Sequence, residues 1–287
     1  SVQEAYVSVG DLGSAASFLG GWSMNLGRMN HPTQGSGRVV NADNWSLAAA
    51  PNNADGYHLA SDMGGIGVDV RYWGGGDVDA GNADSTLGAS FDLGGMGGFA
   101  DIAIHYWGES TAVDASNLAI NLDNIGGDQL MGIDLDIEYA TRDNDDGGDD
   151  GTLTHIGLSY GLGDMGMTLH VSSTVADADW NGIDDAPHGA NGIADILGAG
   201  SGADIDNMTV GVDFSPMEGV DATLSYITLS GDASGDDIGT EIDLLLKWAC
   251  TDATCMEIGY ATFTAEDGNA LGLADEDYFY LGTGWSF

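Results

Sequence analysis

Asp177, Asp179, Asn181, Gly182 and Asp185 read D-x-D-x-N-G-x-x-D, with oxygen donors at alternate positions and a glycine sixth for a sharp turn. That spacing wraps Ca²⁺ in EF-hand-like loops, whose ligands are hard oxygens. The twelfth position holds His188 instead of glutamate, so the bidentate ligand is lost. Weak, extracellular-range calcium binding by Asp177, Asp179, Asn181 and Asp185 is expected, against a solvated Asx-rich loop. The acidic run from Asp143 to Gly151 is a looser version of the same pattern. Cys250 and Cys255 have no other Cys and no His close by in sequence, which argues against a metal site. A disulfide across a hairpin turn is expected, with a reduced thiol pair as the alternative. The sequence has no G-x-S-x-G, H-E-x-x-H or Walker motif, and paired acids recur too often to single out an acid and a base. No enzyme is expected.

The acids dominate the composition. Among 287 residues there are 46 Asp plus Glu against 5 Lys plus Arg, a formal charge of -41. Such a chain cannot replace the counterions around phosphates, so nucleic acid is excluded as a partner. An anionic membrane surface, which is recognised by clustered Lys or Arg, is excluded too. Disorder does not follow, because only 18% of residues are charged and 43% are hydrophobic, ordinary values for a folded chain. No stretch approaches the roughly 18 apolar residues of a transmembrane helix, and Ser1-Val2-Gln3-Glu4 lacks the regions of a signal peptide. The chain is therefore expected to be mature or to lack its start.

What positions the acids is a period of two. In the run from Met131 to Tyr139 every odd position is apolar and every even one is Gly or acid, the pattern of a strand with one greasy and one wet face. The same holds for 66–72, 100–106 and 241–248, and further copies start near Tyr57, Thr86, Asn117, Thr154, Met167, Met208, Val220 and Met256. Short connections such as Gly64-Gly65 and the cysteine turn alternate with long ones such as 30–55, 74–84 and 176–205, which describes an up-and-down meander. A sandwich would show Greek-key irregularity instead.

About fifteen strands would enclose a lumen too wide to fill with side chains, so the polar set is expected to face water inside and the apolar set to face lipid. Tyr57, Tyr72, Tyr106, Tyr139, Tyr226, Trp248 and Tyr260 fall toward apolar strand ends, the girdle positions of a lipid–water interface. The fold class is all-β: a single transmembrane antiparallel up-and-down β-barrel over residues 1–287. By parity the pore-lining residues include Asp69, Arg71, Asp101, His105, Asp134, Asp136, Glu138, Asp221, Asp243, Lys247 and Glu257, with Glu241 on the same face. A water-filled lumen would keep the carboxylates solvated, and their field would favour cations within a Debye length of about 8 Å. Arg71 and Lys247 are candidates for the positive side of a constriction, or simply partners of nearby acids. The 30–55 stretch is a candidate inward-folded or long extracellular loop, and 176–205 a long extracellular acidic loop.

The last strand adds a resemblance. Phe279, Leu281, Thr283, Trp285 and Phe287 alternate with Tyr280, Gly282, Gly284 and Ser286. This resembles the C-terminal signal of Gram-negative outer-membrane β-barrels, and implies that Phe279, Leu281, Trp285 and Phe287 are read by the insertion machinery. Near the front, Glu4-Ala5-Tyr6-Val7, Leu26-Gly27-Arg28, Gly37-Arg38-Val39-Val40, Trp45 and Asp55-Gly56-Tyr57 are similar in order and spacing to porins of the alginate-export type and neighbouring substrate-diffusion porins. The alginate exporters are larger and imply a strongly basic pore, from which this chain departs.

The C-terminal strand of such barrels ends in the periplasm, which implies that the short turns and the cysteines lie in that oxidising compartment and the long loops outside. Because bacterial barrels have even strand numbers, fifteen visible strands imply sixteen with a first strand upstream of Ser1, or fourteen if the first twenty residues form none. The expected function is a passive, cation-preferring outer-membrane porin for small cationic or neutral hydrophilic solutes, trimeric by analogy with general porins. The other reading is a structural barrel whose calcium-binding loops anchor a surface layer. Few Lys, many Asp and a weak calcium loop suit a marine or high-salt organism.

Overall fold

A computed structural model describes residues 5–30, 53–74, 85–95, 99–110, 115–126, 130, 132–144, 149–177, 179–180, 192–194, 205–231, 236–251, 254–269 and 271–285. The strands are β1 (Ala5–Val9), β2 (Trp22–Asn30), β3 (Asn53–Asp62), β4 (Gly67–Gly74), β5 (Ser85–Gly95), β6 (Asp101–Ser110), β7 (Ala115–Asp123), β8 (Ile133–Asn144), β9 (Gly151–Gly161), β10 (Met167–Ala176), β11 (Ile205–Met217), β12 (Val220–Gly231), β13 (Asp237–Thr251), β14 (Thr254–Ala265) and β15 (Glu276–Trp285). They form one antiparallel sheet of 15 strands in which neighbours in sequence are neighbours in space. The all-β up-and-down architecture read from the period is therefore the observed one. No helix among the described residues is long and apolar enough to cross a membrane.

The ladder of β1 with β2, from Ala5 opposite Arg28 to Val9 opposite Met24, removes the fourteen-strand alternative, because the first twenty residues do contribute a strand. The strict alternation of loop lengths also gives way at two places. The connection 111–114 between β6 and β7 is brief although it lies at the long-loop end, and 124–132 between β7 and β8 is extended although it lies at the short-turn end.

Local chemistry explains where the strands turn. The Met63 N–H donates to the Ile66 carbonyl at 2.8 Å, closing a turn whose central residues Gly64 and Gly65 have φ of 74° and 91°. Positive φ at both central positions is the hairpin geometry that matches strand twist, and glycine takes it without steric cost. Pro216 has no N–H to give a ladder, and it falls in the register shift between Phe214 and Met217.

The two faces differ as the period requires. Leu87, Phe91, Tyr106, Leu118, Ile120, Leu158, Val210, Leu224 and Ile242 stand exposed on the outer face. A continuous apolar belt of this kind is far more than a water-soluble monomer exposes and suits a hydrocarbon surround. Tyr57 and Tyr72, opposite one another across β3 and β4, stack with centroids 5.3 Å apart as a girdle pair. Phe279 and Leu281 join this outer face, at 65% and 59% exposure. The side chains of Trp285 and Phe287 lie outside the described residues.

The inner face is less uniformly wet than the composition implies. Trp73, Trp107, Ala119, Ala140, Leu153, Ala176 and Trp180 form a buried cluster on it, with the Trp73 and Trp107 rings 5.1 Å apart. A charge placed on the opposite face should be expensive. Ile242→Arg is expected to lower the unfolding free energy in lipid vesicles by about 2–4 kcal/mol, measured by urea titration, whereas Ile242→Leu should leave it nearly unchanged.

Candidate functional site: the inner wall and its docked loop

The ladders carry the inward residues of one strand onto those of the next. Asp69 of β4 stands opposite Ala60 and Ser90, and Ser90 opposite His105. One strand position further, Arg71 stands opposite His58. Asp69 gathers both: Arg71 donates through Nε at 2.6 Å to Oδ1 and through Nη2 at 3.3 Å to Oδ2, and His58 Nε2 contacts Oδ2. Arg71 is thus an ion-pair partner of a nearby acid, Asp69. His105 is buried with Nδ1 at 3.0 Å from Ser90 Oγ.

Similar pairing recurs around the wall. His155 Nδ1 lies 2.7 Å from Thr174 Oγ1 and its Nε2 3.4 Å from Asp136. His170 lies 3.2 Å from Asp213, which also accepts from Thr223 Oγ1 at 2.6 Å. Asp101 accepts from Asn124 at 2.7 Å, and Asp221 from Ser215 at 2.8 Å. Lys247 Nζ sits 3.6 Å from Glu257 Oε2, while the Tyr280 hydroxyl donates to Glu257 Oε1 at 2.7 Å.

The expected pore-lining residues separate into two groups. Asp69, Arg71, Asp101, Asp134, Asp136, Asp221 and Lys247 are half-buried or exposed on the inner face. His105, Glu138, Asp243 and Glu257 are buried. The expectation that an open lumen solvates every carboxylate is corrected for these: other side chains and a returning loop cover them. A further cation, Arg142, joins the wall from β8, donating to Asn144 at 2.8 Å and to Asn117 at 3.3 Å. Arg142 directly precedes the acidic run from Asp143, where a loop is the natural reading, but extending the parity of Glu138 and Ala140 by one more step puts it inside.

The 176–205 stretch is expected to be a long extracellular acidic loop, and described parts of it reach the inner face at two places. At the first, the backbone of Asp179 and Trp180 lies where a side chain on Gly151 would be, 2.5 Å from its Cβ position, while Asp177 just before it extends the β9–β10 pairing on the other face, its carboxylate accepting from Thr152 N and Oγ1, each at 2.8 Å. At the second, Ile193 N donates to Asp243 Oδ2 at 3.0 Å and Ala194 N to Glu241 Oε1 at 2.9 Å. Ile193 and Ala194 pack there with Ala261 and Tyr280, against Leu245 and Tyr278. These contacts cross from β13 to β15, so the segment 192–194 narrows the lumen along that wall. The other candidate inward loop, at 31–52, lies outside the described residues.

At the end of the sheet that carries the short turns, a cavity of about 490 Å³ opens among Ser23, Ala60, Asp62, Asp69, Ser90 and Asp92. Asp69 of the cluster described above is part of its lining.

Of the expected calcium ligands, Asp177 is turned onto Thr152 and Asp179 is exposed, while Asn181 and Asp185 lie outside the described residues. Among the described residues no group of three or more His, Cys, Asp or Glu could hold a metal ion. Cys255 is an exposed free thiol opposite Ala249, and Cys250 falls in the register shift between Ala249 and Thr251. The ladder therefore puts Cys250 at a bulge and not opposite Cys255; the Cys250 side chain lies outside the described residues.

The sequence matches no family model and no curated protein. Its structure is similar to solved outer-membrane proteins. OpdK of Pseudomonas aeruginosa, solved with vanillate, matches with a TM-score of 0.66 at 13% identity over 93% of this chain and 76% of that one. OccK11 (OpdR) of the same organism matches at 0.63 and 14% identity, covering 94% and 79%. The outer-membrane protein OprD matches at 0.60 and 13%, covering 93% and 75%. The fold is that of these outer-membrane barrels.

Gly192 makes the second docking point possible. Its φ is +116°, and a Cβ there would stand 2.5 Å from Glu241 Cδ. Gly192→Val carries about 1–3 kcal/mol of backbone strain in addition to that overlap. It is expected to release the segment, read as new protease cleavage near 192–194 in the otherwise intact barrel.

Proposed function

We propose that the protein is an outer-membrane channel of a Gram-negative bacterium, through which small hydrophilic solutes diffuse passively, with cations preferred. The observation that carries this reading is the division of charge between the two faces. The outer belt is apolar, while the wall that faces inward presents Asp69, Asp101, Asp134, Asp136 and Asp221 to the lumen side.

The wall's cations are partly neutralised. Arg71 is bound to Asp69, Lys247 to Glu257, and the histidines at 58, 155 and 170 each face an aspartate. The field left over is that of the surplus carboxylates, which concentrates cations and repels anions over about a Debye length. Selection then follows size and charge, with no energy coupling. The similarity to OpdK, OccK11 and OprD supports a channel; a polyanion such as alginate is poorly suited to this wall. Small cationic or neutral solutes are the proposed cargo, and a trimer with weak calcium binding at the outer loops remains part of the proposal.

The docked segment 192–194 favours a narrow pore, and a barrel closed further than this would suit the anchoring role instead. Planar-bilayer recording under a salt gradient separates the two. A reversal potential of cation sign is expected, moving toward zero in an Asp134→Asn/Asp136→Asn double variant. Absence of channels, or a potential of anion sign, would overturn the proposal.

A further inference from the structure

Glu241 and Asp243 stand two residues apart on the inner face of β13, at 0% and 4% exposure. One oxygen of each is accounted for by the N–H groups of Ala194 and Ile193. The other two, Glu241 Oε2 and Asp243 Oδ1, are buried and receive no hydrogen bond from the described residues. The two carboxyl groups sit side by side on one face of β13 and converge on the N–H groups of two consecutive residues, Ile193 and Ala194.

Two charges in that arrangement are poorly compensated. Burying a carboxylate is costly unless it is paired, and a second one beside it adds repulsion. Among the described residues the neighbouring strands supply no cation. β12 presents Ser225 and Ile227 opposite the pair, and β14 presents Ala261 and Phe263. β15 follows with Tyr278 and Glu276. Lys247, further along β13, is bound to Glu257, which Tyr280 also holds, and Asp221 stands opposite Lys247. The docked residues Gly192, Ile193 and Ala194 carry no ionisable side chain. Carboxyl dyads elsewhere resolve this conflict by sharing a proton.

The geometry points to one proton held between Glu241 and Asp243, and to that proton as the catch that keeps segment 192–194 on the lumen wall. With it in place, the pair carries one negative charge, which two backbone N–H groups can satisfy. When the proton passes to water, two charges face each other with the same two donors. Hydration then stabilises them better than the segment does, and the segment leaves. Docking is thus favoured at low pH and lost as pH rises. The docked state binds one proton more than the released state, so the direction follows from linkage.

The test has two arms, and only the second rests on the channel reading. In the first, infrared difference spectra of the full-length chain in detergent are recorded across an acid-to-alkaline titration. A carboxylic-acid C=O band that disappears as pH rises is expected, and Asp243→Asn should lack it. In the second, single-channel conductance should step up over the same pH interval. Asp243→Asn supplies the hydrogen permanently, through its amide, and should hold the low-conductance state throughout; Glu241→Gln should do likewise. A heat-dependent shift in electrophoretic mobility shows that each variant is folded. The proposal is overturned if the wild type lacks the infrared band, if Asp243→Asn keeps the conductance step, or if calcium chelation rather than pH releases the segment. If no channels form but the infrared band behaves as expected, the catch stands and the channel reading fails.

Discussion

A sheet in hydrocarbon has to satisfy its own backbone. An unpaired N–H or C=O costs several kcal/mol where no water can reach it, so a strand that begins a ladder in the membrane must be followed by another. The run of ladders from β1 to β15, each strand on its successor, is the response to that constraint. The rest follows from it. Ladder continuity fixes the register, the register fixes which residues look inward, and a two-residue repeat turns the chain's acids away from lipid. Even the irregularities obey it, since Pro216 and Cys250 fall where the ladder slips and not where it must be whole.

The inner surface obeys a different rule, one of local neutralisation. A surplus of acids this large would repel itself if every carboxylate were left to its own devices. Instead the scarce cations and histidines are each set against an acid, singly at Asp136, Asp213 and Glu257 and as a pair at Asp69. At Glu241 and Asp243, where no basic side chain among the described residues pairs with the acids, backbone N–H groups from a returning loop take the role. The loop's position and the wall's charge are thus two sides of one arrangement.

Most of the frame was legible in the sequence because period two is a direct imprint of the pleat. The runs at 66–72, 100–106 and 241–248 correspond to β4, β6 and β13 in type and facing. What the sequence hid has physical causes. Trp73 and Trp107 were overshadowed by their neighbours Tyr72 and Tyr106, although two adjacent aromatics on one strand must point to opposite faces, so one of each had to be inside. Arg142 was lost to an early loop boundary. The inward course of 192–194 left no local signal, because it is made by two backbone N–H groups and a glycine, whose side chains carry none of the information. Burial of Glu241 and Asp243 follows from that docking and was hidden with it.

The Asp69 cluster has a consequence for how such a wall can change over generations. One carboxylate there masks an arginine and engages a histidine. Losing it would subtract a negative charge and expose a positive one in the same step, beside the cavity at the short-turn end. An acidic wall built this way carries the opposite sign in reserve: its local charge can be inverted by deleting an acid, without waiting for a new base to arise.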